Sequence, residues 1–226
     1  MFLLDELLDS NKKEERNKIY RFDIEDTDDI SVMRHKEKLL EEIKEKNSSN
    51  PTIIESILNN KEKLDKINKA ISQSFDDDVI IADDKIYASN SKINIENLAM
   101  GSKVFAILKL LLTKGIINEK TILILDEPEV HLHPEWQSIL AEILALMIKE
   151  LGITVVLTTH SPQFLLALEY YIKKYEQKDK FNVYMTENNK SKRVVYRDVT
   201  ENIQEAYYRL SKPMFDIKTY MDKLKE

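Results

Sequence analysis

The chain has 226 residues, a formal net charge of −6 at pH 7 and no cysteine. Its length suffices for one hydrophobic core with a small appended subdomain, and the lack of cysteine excludes disulfide and thiolate–metal scaffolds and agrees with a cytoplasmic location. The acidic balance argues against broad, sequence-independent nucleic-acid binding. Binding of nucleic acid would require a local basic patch.

No segment has the features of a secretory signal or a membrane span. The first residues, Met1–Asp9, lack a basic region and a long apolar core. The apolar run Val104–Leu112 is too short to cross a bilayer and contains Lys109. We therefore expect no membrane association.

The N-terminal third is highly charged and is predicted to be helical. Apolar residues recur at helical spacing in three stretches, which are His35–Lys46, Thr52–Leu58 and Lys61–Ile71. We predict a charged helical segment over residues 1–75, followed by an α/β lobe over residues 76–226.

A hairpin and an apolar helix begin the second part. Asp78–Ala82 and Lys85–Ala88 have strand composition and are joined by two aspartates that suit a short turn. The nearly continuous apolar run Val104–Leu112, ended by Gly115, predicts a helix that is central to the core.

Residues 121–137 carry the most informative pattern in the chain. Thr121–Leu125 is a short apolar run typical of a strand that is buried on both faces of a parallel sheet. It leads into Asp126 and Glu127, two carboxylates that are costly at a strand end unless they serve chemistry, and Pro128 then ends the strand. The pattern indicates a Walker B strand, in which the Asp helps hold Mg²⁺ and the Glu polarises the water that attacks a nucleotide γ-phosphate.

A second buried strand is predicted over Ile153–Thr159 and is followed by His160. Between the two strands, Pro134–Leu151 has the apolar spacing of a helix, with a proline suited to its first turn and a glycine just after its end. Strand, helix and strand form a βαβ crossover, so both strands finish on the same edge of the sheet. We therefore expect Asp126, Glu127 and His160 to meet at that edge.

The remaining residues predict one helix, two strands and a terminal helix. The predicted helix is Phe164–Tyr175, and the predicted strands are Phe181–Met185 and Arg193–Tyr196, joined by a polar turn. Asn202–Glu226 suggests a terminal helix that is interrupted near Pro213.

Together these motifs resemble the C-terminal half of an ABC-type ATPase, of the RecF/SMC-like and overcoming-lysogenization-like kind of bacterial ATP-binding protein. In that family, D-E-P-x-x-H-L-H-P-x-x-Q combines the Walker B motif with the D-loop, and T-T-H-S-P carries the switch histidine. These motifs are residues 126–137 and 158–162 here. Asn97–Lys103 lies where the family has its signature motif, a loop that opens a helix. The resemblance covers roughly residues 75–190.

The resemblance implies an α/β fold of the P-loop NTPase type, with a mainly parallel sheet flanked by helices. It implies an ATPase that uses ATP and Mg²⁺, with Asp126 at the metal and with Glu127 and His160 as catalytic residues, the general base and the group at the γ-phosphate. It assigns nucleotide contacts to the signature segment and the D-loop, namely Ala99, Gly101, Ser102, Lys103 and His133. Ala99 stands where a serine is usual, so anion binding there would depend on backbone N–H groups and the helix N-terminus.

The sequence lacks a Walker A motif. A P-loop needs G-x-x-x-x-G-K-[ST] so that glycine backbones can wrap the phosphates. The three glycines are Gly101, Gly115 and Gly152, and the residue five before Gly101 is Glu96. We therefore expect a fragment, one subunit of a split enzyme, or a degenerate protein. A complete site would need a partner chain that carries Walker A, or a homodimer of the completed protein.

Other interpretations of these residues remain open. Asp126-Glu127 could merely start a turn, His160 could be a core histidine, and the signature segment could be a plain helix start. The pair His131 and His133 could bind zinc or manganese, although no third ligand has characteristic spacing. For the whole chain, an ATPase module in a DNA-related or phage-defence system competes with a non-hydrolysing interaction or regulatory protein.

Overall fold

The computed structural model describes residues 18–22, 61–82, 85–88, 90, 92–94, 97–188 and 192–224. The predicted helices His35–Lys46 and Thr52–Leu58 lie outside these residues. The third predicted helix is confirmed as α1, Lys61–Ile71, and it buries Ile67, Ala70 and Ile71.

A strand lies within the N-terminal segment that we expected to be wholly helical. This strand, β1 (Lys18–Phe22), pairs in parallel with β5 (Thr121–Leu125), so that Tyr20 lies opposite Leu123. The expectation of a wholly helical segment was therefore wrong at these residues. Five residues of strand composition depend on a partner that is about a hundred positions away, and local periodicity cannot reveal such a partner.

The main sheet has the predicted parallel arrangement. Its strand order is β1, β5 and β6 (Thr154–Leu157), with both neighbours parallel to the central strand β5. The crossover between β5 and β6 contains the helix predicted over Pro134–Leu151, whose bounds are confirmed; we label it α3. Gly152 ends this helix with φ of 71°, a backbone conformation that suits glycine.

Helices cover one face of the sheet and form the main core. Helix α2 (Met100–Thr113) confirms the predicted apolar helix and is followed by α3 and then α4 (Pro162–Lys174). Helix α3 packs against both α1 and α4. The largest fully buried side chains of this core include those of Phe105, Leu111, Leu123, Leu140, Ile143 and Phe164. Helix α4 begins two residues earlier than expected because the Ser161 hydroxyl caps it, accepting a hydrogen bond from the Phe164 N–H at 3.0 Å.

A small antiparallel sheet lies between α1 and α2 in the sequence. Its strands are β2 (Val79–Ala82), β3 (Lys85–Ala88) and β4 (Ile93–Asn94), and the pairing of the first two confirms the predicted hairpin. Lys109 of α2 holds the segment before this sheet, because its ammonium group donates to the Asp77 carbonyl at 2.7 Å and pairs with the Asp78 carboxylate at 3.1 Å.

The C-terminal part adds a two-stranded ribbon and a long helix. Strands β7 (Tyr184–Asn188) and β8 (Val194–Asp198) are antiparallel, and β7 begins and ends three residues later than expected. Helix α5 runs from Ile203 to Lys223 without the interruption expected near Pro213. Pro213 is exposed there. The carbonyl that loses its intrahelical partner is that of Arg209, which is also exposed, so water can replace the lost hydrogen bond.

The two faces of the main sheet are covered unequally. The face with Leu123 and Leu125 is buried against the helices. The opposite face carries Ile122 and Ile124, which are half-buried, and Val156, which is 52% exposed. Parallel sheets normally have both faces covered. Within the described residues, the second face is therefore only partly covered.

Candidate functional site

Asp126 lies directly after β5 and contacts Thr158, the residue that directly follows β6. The Thr158 N–H donates to the Leu125 carbonyl at 3.0 Å, which extends the pairing of β5 and β6 beyond the strands. The Thr158 hydroxyl donates to Asp126 Oδ1 and accepts a hydrogen bond from the Glu127 N–H at 3.1 Å. One hydroxyl thus orients the carboxylate of Asp126 and the backbone of Glu127, while the Asp126 side chain remains exposed to solvent.

Glu127 and His160 are in direct contact. The His160 Nε2 lies 2.8 Å from Glu127 Oε1, although the two residues are 33 positions apart in the chain. The backbone of Glu127 has φ of 43°, in the left-handed region that non-glycine residues rarely adopt. The His160 side chain is 80% exposed and that of Glu127 is 37% exposed. The pair therefore lies on an open rim, where its polar atoms can contact a ligand.

Glu129 was not predicted from the sequence to take part in the site. It is buried, with only 2% of its surface exposed. Its Oε1 accepts hydrogen bonds from the Thr159 hydroxyl and from the His160 N–H, the latter at 3.3 Å. Its Oε2 is buried without a hydrogen-bond partner among the described residues. A buried carboxylate is costly unless it is satisfied, so this side chain fastens the loop after β6 to the loop after β5.

A further contact joins the same two loops to α3. The Ser161 hydroxyl donates to Gln137 Oε1 at 2.8 Å, and Gln137 Nε2 donates to the Leu132 carbonyl at 3.3 Å. Thr158, Thr159, His160 and Ser161 therefore each contact the segment between β5 and the first turns of α3. Hydrogen bonds from consecutive residues thus hold the rim, while Leu132 anchors the same segment in the apolar core.

The signature-like segment lies against the loop after β5. Gly101 is buried in the first turn of α2, and a Cβ atom added there would lie 3.0 Å from the His131 carbonyl oxygen and 3.0 Å from Leu132 Cδ2. A side chain at this position would force these neighbours to move apart by a few tenths of an ångström. Ala99 precedes the helix without a side-chain cap, while Ser102 and Lys103 are half-buried. The nearest neighbours of Gly101 are thus in the H-L-H segment.

His133 is a helix cap in this structure. Its Nδ1 accepts a hydrogen bond from the Glu135 N–H at 3.4 Å at the start of α3. Across the described ranges, no group of three or more His, Asp or Glu side chains is arranged to hold a metal ion. Asp126 by itself fits a magnesium site that phosphates and water complete, since Mg²⁺ is usually bound through one or two carboxylates.

Comparison with known proteins agrees with this geometry. Residues 86–167 match the model of a family described as "AAA domain, putative AbiEii toxin, Type IV TA system". This stretch is similar to a P-loop ATPase-type domain. It extends from β3 into α4 and includes the signature-like segment, β5, α3, β6 and the rim residues. No curated protein matches the chain.

The match suggests an ATPase-like, nucleotide-binding function for the matched stretch, and the α/β architecture with its parallel sheet is consistent with it. No helix in the described parts of the chain is long and apolar enough to cross a bilayer. The expected meeting of Asp126, Glu127 and His160 at one edge is confirmed as geometry. Their chemical roles, and those of Ala99, Gly101, Ser102, Lys103 and His133, stay predictions.

Sequence reasoning missed the residues that hold the rim, which are Thr158, Glu129, Gln137 and Ser161. A signal was present in the three hydroxyl residues that surround His160 in T-T-H-S, because hydroxyls at a strand end commonly bond neighbouring polar groups. Which groups they bond depends on the adjacent loop, and the sequence does not reveal the pairing of the two loops residue by residue.

Proposed function

We propose that the chain is the ATP-binding and ATP-hydrolysing half of an ABC-type ATPase of the RecF/SMC-like and overcoming-lysogenization-like kind. The observation that carries the proposal is the contact of Glu127 with His160 at 2.8 Å beside Asp126, at the joint end of two parallel strands. Ligands of open α/β sheets bind at that edge. A carboxylate pair and a histidine at one rim are suited to phosphoryl transfer, where catalysis is almost entirely positioning and electrostatics.

Each rim residue has a role that its surroundings support. Asp126 is exposed and oriented by Thr158, so it would hold Mg²⁺, which neutralises phosphate charge when bound. Glu127 accepts a proton from the attacking water and is kept in place by its backbone conformation and by His160. His160 is largely exposed, so its ring turns from Glu127 to the γ-phosphate without disturbing the core.

The phosphate cradle comes from outside these residues. A Walker A lobe in a partner chain, or in a longer form of the protein that pairs as a homodimer, completes the site. The open rim and the partly covered face of the sheet, with half-buried Ile122 and Ile124, are what a lobe that packs against a second lobe would present. The N-terminus of α2, with Gly101, Ser102 and Lys103, then contacts the phosphates of the opposing nucleotide, and His133 lies in the D-loop beside them.

The resemblance and the matched family support a proposal for the biological setting. That family's description names a putative toxin of a type IV toxin–antitoxin system. We therefore place the ATPase in a phage-defence or DNA-related system in the cytoplasm. The net charge of −6 does not favour direct nucleic-acid binding by this chain.

The test compares three variants after a Walker A lobe has been supplied in trans or as a fusion. Glu127→Gln keeps the side-chain shape but removes the base, so hydrolysis should fall by about 10²–10⁴ while ATP binding persists. Asp126→Asn should instead weaken Mg²⁺-dependent binding, and His160→Ala should resemble Glu127→Gln. The natural chain without that lobe should show no significant ATP turnover.

The measurements are ATP turnover and nucleotide affinity, each with and without Mg²⁺. Normal turnover in Glu127→Gln would mean that the acidic pair is structural, and the ATPase proposal would then be wrong. A completed protein that binds no nucleotide at all would favour the alternative, a non-hydrolysing interaction or regulatory protein.

A further inference from the structure

The long C-terminal helix carries an apolar stripe that continues past the domain. From the start of α5 to Leu224, the residue directly after it, apolar residues recur at alternating intervals of four and three positions, at Ile203, Tyr207, Leu210, Met214, Ile217, Met221 and Leu224. This is the heptad spacing of helices that pack along one another. A single face of α5 therefore carries the whole series.

The first half of this stripe is already a packing surface. Ile203, Tyr207 and Leu210 pack with Leu165 and Val199 in a second hydrophobic cluster. The Tyr207 hydroxyl also donates to the Glu169 carboxylate. Over the first two turns of the helix, the stripe therefore packs α5 against α4.

The second half of the stripe is exposed. Its four remaining members, Met214, Ile217, Met221 and Leu224, are each between 56% and 86% exposed, and Tyr220, which is 65% exposed, borders them. The largest apolar patch of a typical monomer covers roughly 300–600 Å². Five side chains of this size on one side of the helix amount to several hundred Å², which is a substantial part of the roughly 800 Å² that each partner contributes to a standard interface.

We propose that residues 213–224, the second half of α5 with the residue that follows it, form a self-association surface. This surface packs against the same residues of a second copy, with the two helices antiparallel. The proposal does not depend on the nucleotide site. It adds a contact between copies that is separate from the Asp126 rim and requires no ATP.

The charges on this part of the helix favour a second copy over a membrane. Lys212, Lys218 and Lys223 alternate with Asp216 and Asp222, so both signs are interspersed, and Lys212 is paired with Asp216. Helices that lie on membranes are typically rich in Lys and Arg on the polar face. The polar side of this part of α5 carries both signs instead, which does not match a helix that lies on a membrane.

The orientation follows from what the first half of the stripe already contacts. In a parallel pair, the second helix would run along Ile203–Leu210, where the domain's own cluster lies. In an antiparallel pair that is limited to the exposed half, the second helix runs away from the domain. Ile217 of one copy then faces Met221 of the other, and Met214 faces Leu224.

The first experiment is sedimentation velocity of the natural chain over a wide concentration range, with and without ATP and Mg²⁺. We expect association that rises with concentration and does not depend on nucleotide. Ile217→Asn should weaken it about tenfold or more, because a polar amide would be buried without a partner. Leu166→Asn is the matched control, since Leu166 is 58% exposed on α4 outside the stripe and should leave association unchanged.

The second experiment tests the orientation by crosslinking. The natural chain has no cysteine, so introduced thiols are unique. When Ile217→Cys and Met221→Cys proteins are mixed and oxidised, the mixed disulfide should exceed either homodisulfide. More homodisulfide from Ile217→Cys alone would overturn the antiparallel arrangement.

Three results would overturn the proposal. One is a monomer at every concentration, and another is association that survives Ile217→Asn. The third is Ile217-dependent binding to vesicles of anionic phospholipid, which would assign the surface to a membrane. Association that appears only with ATP and Mg²⁺ and persists in Ile217→Asn would be assigned to the nucleotide site instead. The experiment therefore distinguishes failure of this proposal from failure of the proposed ATPase function.

Discussion

Replacing Glu129 by alanine should cost a large part of the domain's stability, although this residue has no assigned catalytic role. Its buried carboxylate accepts hydrogen bonds from the Thr159 hydroxyl and the His160 N–H. Hydrogen bonds to charged groups contribute roughly 1.5–3 kcal/mol each. The two contacts are not additive, and a carboxylate oxygen without a described partner offsets part of their contribution. We therefore expect a loss of about 3 kcal/mol for Glu129→Ala.

Two further variants make the measurement specific. Glu129→Gln keeps an acceptor oxygen and the side-chain volume, so it should cost about 1.5 kcal/mol, since a neutral bond is roughly half as strong as a charge-assisted one. Glu201→Ala, at an exposed acidic residue, should stay within about 0.5 kcal/mol of the natural chain. Urea unfolding followed by circular dichroism gives the free energies, with the slope checked for two-state behaviour.

A second readout separates local from global effects. Because Glu129 holds the backbone at His160, the imidazole resonances of His160 should shift in Glu129→Ala under native conditions. They should remain nearly in place in Glu129→Gln. If Glu129→Ala costs less than about 0.5 kcal/mol, within the range of an ordinary surface substitution, the carboxylate does not fasten the two loops and our account of the rim is wrong.

Three further predictions concern other contacts. Gly101→Ala should lower the free energy of unfolding by about 1 kcal/mol, because its Cβ would lie 3.0 Å from the His131 carbonyl and overpacking costs roughly 1–3 kcal/mol. This cost outweighs the preference of alanine for helices. A variant that is more stable than the natural chain in thermal unfolding would contradict the close approach. Burial raises the pKa of Glu169, but hydrogen bonds from Lys173 and Tyr207 outweigh it and hold that pKa below its ordinary 4.5. The stability that Glu169 contributes is therefore present above that value and lost as the pH falls through the lower, folded-state pKa, so the difference from Glu169→Gln should shrink as the pH is lowered below 4.5. A difference that stays constant down to the lowest pH at which the chain still folds, in urea titrations, would refute this. Ser161→Ala should cost about 1 kcal/mol through loss of the α4 cap, whereas Ser161→Asn, measured beside it, should recover most of that loss.

The sequence was sufficient for the parts of the fold that follow from local periodicity and general topology. Pro134–Leu151 has helical spacing bounded by a proline and a glycine, and the structure gives the same bounds. The convergence of Asp126 and His160 required only that parallel strands joined by a helix end on one edge. These inferences succeeded because each depends on neighbours in the chain or on a rule that nearly all sheets obey.

Features that depend on distant partners could not be predicted. Strand β1 forms because β5 is available beside it, and Glu129 looks like an ordinary acidic loop residue until Thr159 and the His160 backbone enclose it.

The backbone of Glu127 has a consequence for any attempt to engineer this domain. With φ of 43°, the position favours glycine or asparagine, and a non-glycine residue held there costs of order 1–3 kcal/mol. Directed evolution for heat resistance alone would therefore enrich glycine at residue 127 and erase the carboxylate that faces His160. Variants selected in that way would be more stable proteins that lack the proposed base. A library should therefore be screened for ATP hydrolysis as well as for melting temperature.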